Sequence, residues 1–193
     1  MSIKYNYVVI EGNIGAGKTT LARRIAEQFN AHLILEHFAD NPFLPKFYNE
    51  PEKYSFPLEL SFLASRYKQL KEELVPQDLF KSFSVADYYF MKSLVFAAST
   101  LDGDEYNLYR QIFYIIYGSI TKPDIYVYLH LNPDRLLQNI ANRGRPYEKK
   151  ITKEYLQKIQ DSYFAFFKQN RENRYLIIDI NEIDFALLSP KPT

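Results

Sequence analysis

Short apolar runs rich in β-branched and aromatic residues alternate along this chain with longer stretches whose apolar positions recur at helical spacing. The runs at residues 5–10, 32–36, 82–86, 124–131 and 175–180 hold too few polar residues for one wet face, so they are expected as strands buried on both sides. Helices are expected between them, at 18–29, 57–75, 90–99, 106–121, 133–143 and 152–171. Pro76 and Pro123 fall where helices should stop, and Asn132 followed by Pro133 suits an N-cap and a first helical residue. Apolar strands alternating with helices imply a parallel sheet covered on both faces. The expected fold is therefore α/β, with five parallel strands as the middle of three layers. No repeat or low-complexity linker interrupts the pattern, and the tail "SPKPT" is expected to fray.

Composition narrows this picture without changing it. A chain of 193 residues, 47% of them hydrophobic, can bury one sizeable core, so a single domain over residues 1–193 is expected. The 24 basic and 23 acidic residues leave a net charge of +1, which gives no bulk attraction for nucleic acid or an anionic membrane; any anion must be bound locally. Cysteine is absent, which excludes disulfides and thiolate metal sites. No run approaches the roughly 20 apolar residues of a membrane span, and the opening "MSIKYNYVVIEG" lacks a signal peptide's apolar stretch. A cytoplasmic protein is expected. His32, His37 and His130 show no metal-ligand spacing and read as structural.

The chemistry concentrates first in "GNIGAGKTT", residues 12–20, which follows the first expected strand and opens the first expected helix. Gly12, Gly15, Gly17, Lys18 and Thr19 complete the P-loop pattern, in which glycines let backbone N–H groups converge on phosphate oxygens beside a positive helix end. With Asn13, Ala16 and Thr20 they form the expected site for a nucleoside triphosphate and its magnesium, Lys18 on the terminal phosphates and Thr19 on the metal. A P-loop alone does not separate a switch, a motor, a transporter subunit and a small-molecule kinase. The guanine-reading Asn-Lys-x-Asp motif of GTPases is absent, and the chain leaves little room for motor machinery.

From Glu11 to Phe185 the chain resembles the deoxynucleoside kinase family, carried by "EGNIGAGKTT", "LEHFADNPFL", "FYNEPEKYSFPLELSFLASRYKQL", "RGRPYEKKITKEYL" and "DINEIDF". The resemblance implies transfer of a phosphate from ATP to the 5′-hydroxyl of a deoxynucleoside, in nucleotide salvage. It implies that Glu36 is the general base, that Tyr48 and Glu148 bind the sugar 3′-hydroxyl, and that Arg143 and Arg145 belong to a lid, at about residues 143–150, that closes on the transferring group. Glu182, Asp184 and Phe185 match the loop over the donor's adenine, and Asp87 is placed to serve substrate and magnesium. The family commonly dimerises through the helices equivalent to 90–99 and 106–121, and the second of these is apolar almost all round, so a homodimer is expected.

Four departures from the family pattern stand out. Glu59 stands where the family usually has glutamine against the nucleobase, on the same helical face as Arg66 two turns away. An ionised carboxylate only accepts hydrogen bonds, so it favours guanine, whose N1–H and exocyclic amine are adjacent donors. The arginine that normally follows the acidic residue of the third strand is missing after Asp87, and Lys92, one turn on, is the nearest compensating charge. The usual acidic partner of the arginine matching Arg66 is lost near Ser93, and a lid arginine is replaced by Asn139. Two other readings stay open: a nucleoside monophosphate kinase of the thymidylate-kinase-like type, and a catalytically silent relative.

Overall fold

The computed structural model describes residues 5–37, 41–74 and 80–183. Its strands are β1 (Tyr7–Gly12), β2 (His32–Ile34), β3 (Ser84–Ala86), β4 (Ile125–His130) and β5 (Tyr175–Asp179). All pairings are parallel, and the sheet order is β2-β3-β1-β4-β5. Around them lie α1 (Lys18–Phe29), α2 (Leu44–Asn49), α3 (Pro51–Glu73), α4 (Lys92–Thr100), α5 (Gly103–Tyr117), α6 (Pro133–Arg143), a 3-10 turn (Pro146–Lys150) and α7 (Lys153–Gln169). The expected α/β architecture is the observed one.

Alternation along β1 builds both halves of the core. Val9 packs among Tyr88, Tyr126 and Tyr163, while Ile10 faces the other way onto Ala22 and Ala26 of α1 and Leu136 and Ile140 of α6. Small side chains at positions 22 and 26, one turn apart, let α1 lie close to the sheet. α1 ends at Asn30, in the left-handed region at φ 50°, a conformation that asparagine tolerates better than most residues. At the start of α7, the Thr152 hydroxyl accepts the Tyr155 N–H.

The boundaries differ from expectation where tertiary contacts outweigh local preference. β1 begins and ends two residues later than the apolar run suggests, so that Glu11 and Gly12 still pair with Tyr128 and Leu129. β2 stops at Ile34, which leaves Glu36 beyond the strand end, its N–H donating to Asp87 Oδ1 at 2.8 Å. Pro57 does not open α3; the helix begins at Pro51 and continues through Pro57, and α2 precedes it unannounced by any long periodic pattern. β5 is not covered on both sides: Leu176 and Ile177 are about half exposed among the described residues. Nor is α5 wholly buried. Tyr109 and Phe113 enter the core, whereas Ile115 is 81% exposed.

Candidate active site

β1 lies at the centre of the sheet, and its carboxyl end delivers the chain into the loop before α1, where ligands of open α/β sheets gather. The loop fits there because Gly15 has φ 84°, and a Cβ on it would stand 2.9 Å from the Leu136 carbonyl oxygen of α6. Gly12 makes the same close approach to Leu129 of β4 and lines neither cleft described below; it seats the strand end. Asn13 is buried and braces the loop, donating to the Leu156 carbonyl at 2.7 Å and accepting the Ile14 N–H at 2.8 Å. No side chain caps the first turn of α1, so its N–H groups remain available to an anion.

Two clefts open on this loop and share Gly15, Lys18, Thr19, Arg143 and Arg145. The first is lined by Glu36, Tyr48, Glu59, Arg66, Asp87, Lys92 and Glu148 with an apolar wall that includes Phe47, Phe62 and Phe96. The second is lined by Ala16, Gly17 and Thr20, by Arg135, Asn139 and Asn142 of α6, and by Ile180 and Ile183. Glu182 is exposed and is not among its lining residues; Asp184 and Phe185 lie outside the described residues. Asn139 donates to the Gly15 carbonyl at 2.8 Å, so the position where the family carries an arginine here supports the loop.

Lys18 Nζ donates to the Asn13 carbonyl at 2.8 Å. Burial, then the nearby Lys92 charge, lower its pKa, so a bound polyphosphate would supply charge that the apo site lacks. Thr19 Oγ1 donates to Asp87 Oδ2, while the other Asp87 oxygen accepts the Glu36 N–H. A hydroxyl beside one carboxylate, next to a phosphate loop, is a donor set that suits magnesium, which takes oxygen ligands, keeps several waters and leans on phosphates. No cluster of three or more His, Cys, Asp or Glu forms a self-sufficient metal cage among the described residues.

Glu36 is held from two sides. Arg66 donates through Nε at 2.8 Å and a terminal nitrogen at 2.7 Å to one carboxylate oxygen, and Lys92 pairs with the other. Burial pushes the Glu36 carboxyl up, but Lys92 and Arg66 together bring it down to about 2. Arg66 also donates to Ser93 Oγ at 2.8 Å, so the smaller side chain retains an acceptor where the family's acid is lost. The Tyr88 that follows Asp87 is wholly buried in the core, and the second cation beside Glu36 comes from Lys92 of α4.

Glu59 is 2% exposed. One carboxylate oxygen accepts from Thr100 Oγ1 at 2.9 Å, and the other has no partner among the described residues. Burial dominates and raises its pKa to about 7 against the opposing Arg66 charge. Thr100 escaped the sequence reading, although Lys92, Phe96 and Thr100 recur every four residues and share one face of α4. Arg135 and Glu11 escaped it too. Arg135 donates to the Asn181 carbonyl at 2.9 Å beside the second cleft; Glu11 is buried, its pKa raised chiefly by burial, and accepts from the Tyr89 N–H and the Tyr163 hydroxyl at 2.9 and 2.8 Å.

Arg143 and Arg145 both converge on Glu148. Arg143 forks onto it with its closest contact at 2.7 Å, and Arg145 approaches at 3.3 Å. Glu148 itself is buried on the 3-10 turn, facing the cleft that Tyr48 also lines. Both arginines thus sit where the two clefts meet, with their side chains about a third exposed.

The sequence profile described as deoxynucleoside kinase matches residues 8–191. The deoxyguanosine kinase of Bacillus subtilis (strain 168) is 39% identical over 186 residues, covering 94% of this chain and 89% of the relative. The deoxyadenosine kinase of Dictyostelium discoideum is 33% identical over 191 residues, covering 96% and 76%. A solved deoxyadenosine kinase from M. mycoides, bound to dCMP and a flexible dCDP as products, superimposes with a TM-score of 0.82 at 25% identity over 93% of both chains. Similarity that runs almost from end to end, on the same parallel sheet, makes this chain a member of the deoxynucleoside kinase family, and hence a kinase.

Proposed function

We propose that the chain transfers the terminal phosphate of magnesium ATP to the 5′-hydroxyl of a deoxynucleoside, with deoxyguanosine favoured, in nucleotide salvage. The observation that carries this reading is the pair of clefts meeting at Lys18, Thr19, Arg143 and Arg145, which gives donor and acceptor one common boundary where a phosphoryl group can pass. Lys18, the loop N–H groups and Thr20 take the donor phosphates, and the floor formed by Ile180 and Ile183 takes the adenine. Thr19 and Asp87 would hold magnesium, which, when bound, screens the charge of adjacent phosphate oxygens.

On the acceptor side, Glu36 orients the 5′-hydroxyl and receives its proton. A carboxylate whose pKa is brought down to about 2 is a weak base, but phosphoryl transfer passes through a loose transition state in which the nucleophile gains little positive charge early, so orientation matters more than basicity. Lys92 supplies the charge that an arginine after Asp87 would otherwise bring. Tyr48 and Glu148 take the sugar 3′-hydroxyl, and that binding draws Glu148 partly away from Arg143 and Arg145, which then turn toward the transferring group as the lid at about residues 143–150 closes. Glu59 reads the base, and the name of the Bacillus subtilis relative supports guanine. The exposed Leu108, Tyr114 and Ile115 of α5 support a homodimer, and no helix among the described residues is long and apolar enough to cross a membrane, which suits a single-domain enzyme working in the cytoplasm.

A monophosphate acceptor would need an additional cation, and Arg66 and Lys92 are both committed to Glu36. The test is ADP release from magnesium ATP with deoxyguanosine, deoxyadenosine, deoxycytidine and thymidine offered separately, and with their monophosphates. Turnover led by deoxyguanosine is expected. Turnover with monophosphates alone would replace this reading with a nucleotide kinase, and silence with every acceptor would make the chain a non-catalytic relative.

A further inference from the structure

We propose that Glu59 and Thr100 form a proton-controlled base reader, in which ionised Glu59 selects a guanine edge and protonated Glu59 selects an edge with one donor beside one acceptor, as in adenine. This rests on the acceptor-cleft reading above and adds to it a second purine and the condition that chooses between them.

The geometry supplies both states. Thr100 Oγ1 lies 2.9 Å from one Glu59 oxygen and 3.0 Å from the Phe96 carbonyl, so its single proton can go to either. Donating to Glu59, it marks that oxygen as the acceptor and leaves any carboxyl proton to the other, the buried oxygen without a partner among the described residues. An ionised Glu59 then offers two acceptors, which guanine's N1–H and amino group satisfy together. A protonated Glu59 offers a donor and an acceptor, which meet the N1 and the amino group of adenine. The wrong pairing in either state sets donor against donor or acceptor against acceptor beside a carboxylate that is itself buried, where an unpaired polar group is costly.

The charged and titratable groups facing Glu59 come from every side. Arg66 lies two turns along the same helix; Lys92 reaches in from α4, Glu36 from the segment after β2, Tyr109 from α5, and Tyr48 and Tyr155 from α2 and α7. Burial raises the Glu59 carboxyl most, Arg66, the Thr100 hydrogen bond and Lys92 lower it, and Glu36 raises it, which leaves it at about 7. Both forms are therefore populated at neutral pH.

The sign follows directly. Guanine binding needs the ionised form and is lost as pH falls, whereas adenine binding needs the protonated form and is lost as pH rises. Since each apparent affinity scales with the fraction of its competent form, the deoxyguanosine to deoxyadenosine ratio of kcat/KM should rise by about tenfold per pH unit. The experiment measures that ratio from about pH 6 to about pH 8, and in parallel the two dissociation constants by calorimetry without ATP, which needs no turnover. A rising ratio in the native enzyme is expected, with a flat ratio favouring deoxyadenosine in Glu59→Gln. In Thr100→Val the crossover should move to higher pH, because the ionised carboxylate loses a donor; a residue that merely packs would not move it. A flat ratio in a native enzyme that turns over both purines would overturn the proton switch while leaving the kinase reading intact. Failure to bind either purine at any pH would overturn the base reader together with the deoxyguanosine preference, and failure to bind any deoxynucleoside would overturn the acceptor-cleft reading as well.

Discussion

Lys92 shares the Glu36 carboxylate with Arg66. It approaches Glu36 from α4 where the chain offers tyrosine in place of the expected arginine, and its flexible stem brings a point charge to one carboxylate oxygen while Arg66 holds the other in a fixed fork. Lys92→Gln should lower kcat by about a hundredfold and destabilise the fold by about 1–3 kcal/mol, as Glu36 loses one of its two buried partners. Lys92→Arg should recover part of both, and steady-state kinetics beside thermal unfolding would separate the two effects. Of the site residues, Lys18, Thr19 and the loop glycines were legible from spacing alone. The Glu59 substitution was legible as a difference in hydrogen-bonding capacity; its Thr100 partner was not, because the contact joins α3 to α4 across 41 positions of sequence.

The elements around the phosphate loop act as a unit made by close approach. Gly15 closely approaches α6, Asn139 of the same helix donates to the Gly15 carbonyl, and α6 ends in the arginine that faces both clefts. Gly15→Ala should therefore cost about 2–4 kcal/mol in unfolding free energy and abolish tight ATP binding, since the new methyl group meets backbone at a left-handed position. Calorimetric titration with ATP and denaturant unfolding would show both. Arg143→Ala should behave differently: kcat falls by about a hundred- to a thousandfold with little change in Tm, because the side chain is only partly buried and its expected work is on the transferring group. A similar loss of Tm in both variants would mean that Arg143 also holds the loop in place.

Taken as one body, the protein carries a buried acid whose titration opposes folding at neutral pH. The Glu59 carboxyl moves from its ordinary 4.5 to about 7 on folding, so between those values the folded state binds more protons than the unfolded one. Stability should consequently fall as pH rises through that window and level off above it. Glu59→Gln should remove this slope and raise the unfolding free energy by about 1–3 kcal/mol at about pH 8, with the gain vanishing toward pH 4.5. Denaturant curves at several pH values test it. The exposed face of α5 belongs to the same scale: if it joins two copies, Ile115→Glu should shift the sedimentation of micromolar protein from dimer to monomer, because each dimer would bury two new charges against apolar surface.

The period of the apolar runs decided the fold class, since strands apolar on both sides and helices with one apolar stripe have few stable arrangements. The phosphate loop was equally local: five residues in eight positions, opening a helix, carry their own geometry. Element ends were decided by tertiary contacts. β1 runs on to Gly12 because β4 is there to pair with it, and α3 runs through Pro57 because packing from α2 and α4 outweighs one missing hydrogen bond. The ionisation of Glu36 and Glu59 is tertiary as well. Both are glutamates in the sequence, yet one lies between Lys92 and Arg66 and the other lies buried with, among the described residues, only a threonine hydroxyl on its carboxylate, and only the folded arrangement sets one well below the ordinary carboxylate range and the other near neutrality.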